Sequence, residues 1–463
     1  MTAPLTPDSV SCTPRNRGRL PIAFAPRFFL AAALGIIWVV PVWWSTKWVA
    51  LLIVWNALVV TAWLWDLARL PAPSAFKITR RWNGPLILGR SVSTTLVIEQ
   101  SGKPTLQVFA IDELAPSLRG QVPQFVVTVP SNGQAGHEYN ITPRQRGDAI
   151  VGSVYLRYQT GFGFAERWAE ALLTQTVCVL PDISEANQQA LYLIRSRQIE
   201  IQKRRHRDPG LGREFDALRE YREGDDLREV CWPATARRHS LVTRTFQAER
   251  SQTVWVMVDS GRLLRTEVVQ AGRDFHLSKL DYAVDAALGI ARVAAQFGDR
   301  VGALAYGRRI QYAIPASPAA GHIREWVETL ARVRSESTEA NHALAARVLL
   351  QKQTRRALVM WITDFPETPT LPDVVEYAAQ IGRRHLVLFA AVSQPDLAYA
   401  ARRVPETEQE MYRGAAALAL LQRREVLIRS LRQQGVLAME IVPGKLTTAL
   451  VNEYLTVKDR NMI

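Results

Sequence analysis

The chain has 463 residues, of which 48% are apolar and 22% are charged. This composition excludes an intrinsically disordered chain, and the length exceeds that of one ordinary domain, so several folded domains are expected. Lysine and arginine outnumber aspartate and glutamate, which gives a net charge of +14. The three cysteines lie far apart, so they indicate neither a disulfide framework nor a Cys-x-x-Cys metal site, and a reducing compartment fits them best.

Two uncharged runs near the N-terminus, Phe28 to Trp44 and Trp48 to Trp65, have the length and composition of membrane spans. Each is close to the roughly 20 residues that a tilted helix needs to cross a bilayer. Tryptophans crowd towards the ends of the runs, as is typical of membrane interfaces. The sequence therefore predicts a transmembrane helical hairpin over residues 28–70, and a pair of buried core helices is the alternative.

Cations flank this hairpin unequally, which predicts its orientation. Lysine and arginine resist translocation and stay on the cytoplasmic side. The segment between the runs contains Lys47 alone, whereas four cations lie on each outer flank: Arg15, Arg17, Arg19 and Arg27 before it, and Arg69, Lys77, Arg80 and Arg81 after it. We therefore expect residues 1–27 to form a cytoplasmic tail and residues 71–463 to be cytoplasmic as well.

Residues 71–183 alternate apolar and polar positions with the period of a strand. Val92, Thr94, Leu96 and Ile98 share one face. Similar stretches occur at residues 105–112, 124–129, 150–157 and 174–180, and glycine or proline separates them. Short strands at near-regular spacing predict an antiparallel β-sandwich.

Residues 253–463 alternate buried-strand runs with helical periods. The strand runs are 254–258, 301–306, 357–362, 386–392 and 436–442, and the helical segments are 280–297, 323–333, 371–383 and 408–434. This order predicts a doubly wound α/β domain, whose ligand sites form at the carboxyl ends of its strands. Asp259 ends the first strand run, and Asp364 follows the third.

Residues 184–252 form a predicted connector that carries an unusual charged signature. Its distinctive residues are Gly212, Arg213, Glu214, Phe215, Arg219, Glu220, Tyr221, Gly224, Asp225, Arg228, Trp232, Thr235, Ala236 and Arg237. Together with Arg144-x-Arg146-Gly147, the Gly161-Phe162-Gly163-Phe164 turn and Lys279-Leu280-Asp281, this signature resembles the bacterial domain-of-unknown-function 58 family. Members of that family resemble a von Willebrand factor A domain. The resemblance implies an A-like C-terminal domain, a place in the bacterial cytoplasmic membrane, and a MoxR-type AAA+ ATPase as partner.

The same resemblance implies a degenerate metal site. In A domains a metal-ion-dependent adhesion site uses Asp-x-Ser-x-Ser, a threonine and a second aspartate, and the corresponding positions are Asp259, Thr338 and Asp364. Gly261 and Leu263 replace the two serines, so two of the oxygen ligands that Mg²⁺ prefers are missing. We expect no cofactor, with Mg²⁺ binding as the open alternative.

Motifs of common enzymes are absent from the sequence. It contains no Gly-x-x-x-x-Gly-Lys-Ser/Thr, His-Glu-x-x-His or Gly-x-Ser-x-Gly. The expected function is therefore a membrane-anchored, non-catalytic scaffold or adaptor that binds a protein on the face around Asp259, Thr338 and Asp364. On this reading, charge reversal at Asp364 weakens binding without loss of stability.

Two other functions stay open. One is a metal-dependent hydrolase that uses Asp259 and Asp364. The other is a membrane-tethered nucleic-acid binder that uses a basic run before the signature, although an exposed solvated face is the commonest meaning of such a run and contact with anionic lipid the next. That run consists of Arg195, Arg197, Lys203, Arg204, Arg205 and Arg207. The oligomeric state is not indicated.

Overall fold

The computed structural model describes residues 9–14, 21–39, 48–182, 214–222, 227, 230–247, 252–268, 276–318, 321–366, 373–460 and 462. The basic run at 195–207 and the loop at 45–47 lie outside this set. The chain divides into two compact units, Met1–Leu180 and Pro181–Ile463.

The first unit contains twelve described strands. They are β1 (Ser9–Ser11), β2 (Thr13–Pro14), β3 (Ile22–Phe24), β4 (Phe76–Trp82), β5 (Val92–Gln100), β6 (Leu106–Asp112), β7 (Gln124–Val129), β8 (Gln134–Ile141), β9 (Gly147–Val151), β10 (Val154–Thr160), β11 (Ala165–Ala171) and β12 (Gln175–Val179).

These strands form two antiparallel sheets that share one core. One sheet has the order β1-β4-β5-β8, and the other has the order β2-β11-β10-β6-β7 with β3 also paired to β11. Ile78 and Leu96 from the first sheet lie in the same buried cluster as Val108 and Tyr158 from the second. Alternation places these side chains on the inner faces, because successive residues of a strand point to opposite sides. A third pair, β9 with β12, completes the unit's described sheets.

The N-terminal segment belongs to this β-domain. From the sequence, residues 1–27 are expected to form a separate tail, but Ser9–Ser11 pairs with β4, and Thr13–Pro14 and Ile22–Phe24 pair with β11. The strands are too short and irregular for an alternation pattern to reveal them, which is why the sequence interpretation differs. The chain therefore enters its apolar segment from the β-domain and returns to the same domain afterwards.

Two apolar helices form that segment. Helix α1 (Pro26–Leu34) continues as a 3₁₀ turn to Trp38, and helix α2 (Trp48–Arg69) has 22 residues. The two lie side by side: Trp55 Nε1 donates a hydrogen bond to Ala31 O at 3.0 Å, and the Trp38 and Trp48 rings stack at 6.3 Å. By length and composition, α2 is long and apolar enough to cross a membrane, whereas Pro26–Trp38 is shorter. The structure thus describes one candidate span where the sequence predicts two.

The second unit begins, in its described part, with a small hairpin and continues as an α/β domain. The hairpin pairs β13 (Glu214–Glu220) with β14 (Val242–Gln247), and helix α3 (Trp232–Arg238) lies between them in the chain. A further short antiparallel pair, β16 (Glu267–Val268) with β17 (Leu277–Ser278), follows the first strand of the main sheet.

The main sheet has six strands: β15 (Thr253–Asp259), β18 (Arg300–Tyr306), β19 (Ile310–Pro318), β20 (Leu358–Thr363), β21 (Leu386–Val392) and β22 (Leu437–Ile441). Their spatial order is β19-β18-β15-β20-β21-β22, and all neighbours are parallel except the edge pair β18 and β19. Counted along the chain, this is the 3-2-1-4-5-6 order of a doubly wound sheet.

Helices cover both faces of this sheet. They are α4 (Lys279–Gln296), α5 (Ile323–Ala331), α6 (His342–Lys352), α7 (Asp373–Gly382), α8 (Pro395–Arg402), α9 (Glu408–Gln433) and α10 (Leu446–Asp459). One buried cluster packs α4, α5 and α10 against the sheet, and a second packs α6, α7 and α9 against the opposite face. The strands are continuously apolar because helices cover both faces of the sheet.

Candidate functional site

The candidate site lies where the winding of the sheet reverses, between β15 and β20. These two strands are parallel neighbours, and their connections leave towards opposite faces, so a crevice forms beyond their carboxyl ends. Asp259 is the last residue of β15, Thr363 is the last residue of β20, and Asp364 follows it directly. The structure therefore brings together the two aspartates that the sequence analysis singles out.

Asp259 is fully engaged by neighbouring donors. Its Oδ1 accepts the Gly261 backbone N–H at 2.7 Å, and its Oδ2 accepts the Thr363 hydroxyl at 2.6 Å. Burial raises the pKa of Asp259 to about 6, and these hydrogen bonds oppose the rise. A carboxyl group with both oxygens bonded inside the protein ties the two strand ends together.

Asp364 is held by two buried cations. Lys279 Nζ lies 2.7 Å from its Oδ2, and Arg424 Nη1 lies 2.6 Å from its Oδ1. The Phe365 backbone N–H also donates to Oδ1 at 2.7 Å. Lys279, Asp364 and Arg424 are all buried. Each oxygen of this carboxylate is therefore paired with a positive charge.

Glu440 completes the ionic network. Arg424 Nε donates to Glu440 Oε1 at 2.7 Å, and its Nη2 donates to Val392 O at 3.2 Å. Burial opposes the charge of Arg424, yet the Asp364 and Glu440 carboxylates raise its pKa above the usual value. Two cations face two carboxylates, so the network carries no net charge. From the sequence, Lys279 is recognised only as part of the family resemblance, and Arg424 and Glu440 are not recognised.

Lys279 owes its position to the start of α4. Ser278 caps this helix, its side chain accepting the Asp281 N–H while the Asp281 carboxylate accepts the Ser278 N–H. This capping box fixes the first turn, and the following residues bury their apolar face against the sheet. Lys279 is the first helical residue, and its ammonium group reaches across the crevice. A lysine at the start of a strongly apolar helix is the sequence signal that could have indicated that this side chain belongs to the site.

Thr338 belongs to a loop that lies beside the end of β15. It is exposed, and its hydroxyl group lies 3.3 Å from Glu336 Oε2. Its carbonyl accepts the Arg262 N–H at 2.9 Å, which holds this loop beside the end of β15. Hydrogen bonding by the Arg308 N–H lowers the pKa of Glu336. Thr338 thus supports the loop, and its hydroxyl is directed to Glu336.

The residues at the crevice do not fit a divalent cation. Both oxygens of Asp364 are occupied by Lys279 and Arg424, and both oxygens of Asp259 accept protein donors. A Cβ atom on Gly261 would lie 2.8 Å from the Ala340 backbone nitrogen, so the position of the first missing serine has no room for a side chain without a shift of that loop. Within the described ranges, no group of three or more His, Cys, Asp or Glu side chains is placed to hold a metal. The ammonium group of Lys279 places a positive charge directly against Asp364.

The burial of Asp364 also corrects an expectation from the sequence. Charge reversal there would set a third cation beside Lys279 and Arg424 inside the protein. Buried charges without partners are strongly destabilising, so Asp364→Lys would disrupt the domain and not merely its surface. Asp364 is therefore unsuitable as a probe of partner binding.

A helical hairpin projects beyond the carboxyl edge of the sheet. Helix α9 runs antiparallel to the parallel strands of the sheet. Arg424 on this helix lies at the level of the crevice, because its side chain contacts Asp364 and the carbonyl at the end of β21. Sixteen residues precede it in the helix, which corresponds to about 24 Å at 1.5 Å per residue. Helix α8 packs along this projecting part. A cleft of about 110 Å³ lies at its base, lined by Arg262, Asp364, Phe365 and Arg424 among others.

The projecting hairpin exposes large apolar side chains. Val404 is 80% exposed and Tyr412 is 63% exposed. Tyr399, Met411 and Leu418 are also exposed, and all five lie on α8, on α9 before Arg424, or on the connection between the helices. An exposed apolar surface of this kind is typical of a protein-binding site.

The signature residues that the structure describes form a small surface element. Arg219, Glu220 and Tyr221 lie in or beside β13, and the Thr235 hydroxyl accepts the Val242 N–H at 3.1 Å, which joins α3 to β14. Trp232, Ala236, Arg237 and Glu220 are exposed. Glu214 and Phe215 belong to β13, whereas Gly212, Arg213, Gly224, Asp225 and Arg228 lie outside the described residues. Because Arg237 is exposed, a buried ion pair between its side chain and a carboxylate is not expected.

Part of the second unit is similar to known proteins. Residues 217–400 match the family model described as "Protein of unknown function DUF58". Uncharacterized proteins of Mycobacterium tuberculosis and Mycobacterium bovis are each 30% identical over 162 residues, which is 34% of this chain and 48% of theirs. The chain thus spans about half the length of the curated relatives it matches.

Among solved structures, the conserved hypothetical protein BatB from Bacteroides thetaiotaomicron is 13% identical, with a TM-score of 0.31; the match covers 45% of this chain and 100% of that one. An uncharacterized membrane-spanning protein from Vibrio fischeri is 14% identical, with a TM-score of 0.17; the match covers 44% of this chain and 96% of that one. TM-scores this low do not establish a shared fold.

Proposed function

We propose that this protein is a membrane-anchored adaptor without catalytic activity, whose A-like α/β domain binds a protein partner beyond the carboxyl edge of its sheet. The observation that carries this proposal is the closed ionic network of Lys279, Asp364, Arg424 and Glu440 in the crevice. In other doubly wound domains this crevice receives a ligand. Here the charged side chains that line it are paired with one another.

Anchoring by two spans is supported by chain topology. Strand β3 leads into α1, strand β4 follows α2, and both strands belong to the same β-domain. If α2 crosses a membrane, the chain must cross a second time to bring both flanks to one side. Stacking of Trp38 on Trp48 supports the same hairpin, because it joins the end of α1 to the start of α2.

A cytoplasmic orientation rests on the flanking cations. Arg80 no longer counts among them, because it is buried and donates to Asp112 Oδ2 at 3.0 Å. Arg27, Arg69, Lys77 and Arg81 still exceed the single Lys47 of the intervening loop. A cysteine placed at position 46 should react with an impermeant thiol reagent added outside intact cells. Labelling of a cysteine at the exposed position Val126 under the same conditions would contradict the orientation.

A partner is suggested by the projecting hairpin. Its exposed apolar side chains include Tyr399, Val404 and Tyr412, and burial of such side chains is a main source of binding energy at interfaces. The family resemblance implies a MoxR-type AAA+ ATPase, and the absence of a nucleotide-binding motif in this sequence agrees with a partner that supplies energy. We propose that this ATPase contacts the hairpin.

The test is capture of the purified ATPase by the detergent-solubilised protein. Tyr412→Glu should weaken capture at least tenfold, because it places a charge in the apolar surface. Val426→Glu is the matched control: Val426 is also exposed on α9, about 21 Å further along the helix. Equal capture by Tyr412→Glu and wild type would exclude this surface.

A metal-dependent hydrolase is less well supported by the geometry. Each oxygen of Asp259 and Asp364 already accepts a protein donor, and Asp364 faces two cations that would repel a metal ion. Wild-type protein should show no Mg²⁺-dependent hydrolysis of phosphate or peptide bonds above that of Asp259→Ala.

A further inference from the structure

The turn between β10 and β11 is fixed to the ends of both apolar helices. This turn has the sequence Gly161-Phe162-Gly163-Phe164. Arg27, the second residue of α1, donates from Nη1 to Gly161 O at 2.8 Å and to Phe162 O at 3.0 Å. Ala25 N–H donates to Phe164 O at 3.0 Å. The turn therefore lies at the level of the first residues of α1.

Asp66 attaches the end of α2 to the same turn. It is completely buried although it lies in the last turn of an apolar helix. Its Oδ2 accepts the N–H groups of Phe164 at 2.9 Å and Ala165 at 3.0 Å, and its Oδ1 accepts the Thr160 hydroxyl. A carboxylate at this place would be costly in a bilayer unless such donors satisfied it. Asp66 joins helix and sheet without a flexible linker.

Aromatic side chains surround this junction and face outwards. Phe162 is 52% exposed, and its ring meets that of Trp65 edge to face at 5.2 Å. The Arg69 guanidinium lies 4.2 Å from the Trp65 ring centre. On the neighbouring side, Phe24 is exposed and stacks on Phe28 at 4.4 Å. Aromatic rings beside arginines at the end of an apolar helix are characteristic of the membrane interface.

The length of α2 places the turn at that interface. Its 22 residues extend about 33 Å, and the hydrocarbon core of a bilayer is about 30 Å thick. If α2 begins at one boundary of the core, Trp65 lies about 26 Å further along the helix, close to the other boundary. Phe162 touches Trp65, so it must lie at the same depth.

From these contacts we infer that the Gly161–Phe164 turn is a membrane-embedded foot of the β-domain, with the Phe162 ring inserted among the lipid headgroups and Asp66 holding the foot to α2. This inference rests on the proposed membrane anchoring. Its partner is the lipid surface itself, because the foot is continuous with the helix that would cross the bilayer. The β-domain is thereby seated on the membrane at a fixed orientation.

Depth-dependent fluorescence quenching tests the inference in the full-length protein reconstituted in phosphatidylcholine and phosphatidylglycerol vesicles. The background carries Cys178→Ser and Cys231→Ser and keeps Cys12, which is buried and whose thiol pKa burial raises to about 12, so it should not be labelled. Single cysteines at Phe162, Leu58 and Ile150 receive an environment-sensitive fluorophore. Leu58 lies in the middle of α2. Ile150 is exposed on β9, and it is close in the chain to the end of β10 that is remote from the turn.

The label at Phe162→Cys should be quenched by lipid that carries a nitroxide near its headgroup, and the label at Leu58→Cys by lipid that carries it near the chain end. The label at Ile150→Cys should not be quenched by either lipid. Quenching at Leu58→Cys without quenching at Phe162→Cys would overturn the foot and leave the anchor intact. No quenching at either position would overturn both.

Asp66→Ala, added to the Phe162→Cys protein, tests the clamp. It removes the acceptor of two backbone N–H groups and one hydroxyl, so quenching at Phe162→Cys should fall at least twofold. The same substitution added to the Leu58→Cys protein should leave quenching there unchanged. Asp66→Asn keeps one acceptor oxygen and should retain more of the quenching. Unchanged quenching at Phe162→Cys in Asp66→Ala would show that Asp66 does not hold the foot.

Discussion

The ion pair of Lys279 with Asp364 should show a large energetic coupling. At the observed distance of 2.7 Å, and with an effective dielectric constant of about 20, the Coulomb attraction is about 6 kcal/mol. Desolvation of both groups offsets much of this attraction, but removal of one partner leaves a buried charge uncompensated and costs about 3–5 kcal/mol. Lys279→Met and Asp364→Asn should each destabilise the α/β domain by this amount.

The double variant distinguishes pairing from simple loss of packing. Lys279→Met leaves Asp364, Glu440 and Arg424 with one excess negative charge, and Asp364→Asn leaves one excess positive charge. Together the two substitutions leave Arg424 with Glu440, which is a balanced pair. The double variant should therefore be more stable than the sum of the single effects predicts, by about 2–3 kcal/mol.

Hydrogen exchange of the β15 and β20 amides in the detergent-solubilised full chain measures the opening free energy of this domain separately from the rest. Lys279→Met combined with Asp299→Asn is the control cycle, because Asp299 precedes β18 at the opposite edge of the sheet and pairs with Lys458. That pair of substitutions should be additive within about 0.5 kcal/mol. If the effects of Lys279→Met and Asp364→Asn on stability were additive as well, the proposed pairing of Lys279 with Asp364 would be refuted.

Three further predictions follow from individual residues. Asp259 has a raised pKa, so its contribution to stability is present at low pH and is lost as the pH rises from about 4 to about 6. A difference of about two pKa units corresponds to at most about 3 kcal/mol of unfolding free energy. Plots of unfolding free energy against pH for wild type and Asp259→Asn should therefore converge or cross over this interval. Parallel plots would contradict the raised pKa. Mg²⁺ should leave the Tm of wild type unchanged, and a saturable rise that Asp259→Ala abolishes would reveal a working metal site. Arg237→Ala should change stability by less than about 0.5 kcal/mol, because Arg237 is exposed; a loss above 2 kcal/mol would mean that its side chain has a buried partner.

The α/β domain was predictable because its strands are buried on both faces. Runs such as 254–258 and 386–392 are apolar throughout, and the structure has strands at Thr253–Asp259 and Leu386–Val392. Strand β19 (Ile310–Pro318) escaped detection because it is the antiparallel edge of the sheet and most of its residues are only partly buried or exposed. Edge strands lack the continuous apolar pattern on which the prediction depends.

In the β-domain, the alternation of apolar and polar residues predicted only some of the strands correctly. The strand expected at residues 150–157 is two strands, β9 and β10, divided at Gly152 and Ser153. Strand β8 (Gln134–Ile141) was missed, since residues such as Gln134 and Glu138 give it a polar exposed face and few apolar residues to mark the other.

The candidate site was predictable in place but not in chemistry. Asp259 and Asp364 follow strand runs, so their positions were evident from the sequence. Arg424 and Glu440 come from a helix and a strand far along the chain, and only folding brings them to Asp364. A pairing between residues separated by such distances has no local sequence signal.

Capture of a purified MoxR-type ATPase by the full-length protein tests the proposed function most directly. The wild-type protein and Val426→Glu should capture it equally, and Tyr412→Glu should capture at least tenfold less while keeping the wild-type Tm. Failure of the wild-type protein to capture the ATPase, or equal capture by Tyr412→Glu, would contradict the proposal that the projecting hairpin of this membrane-anchored protein binds it.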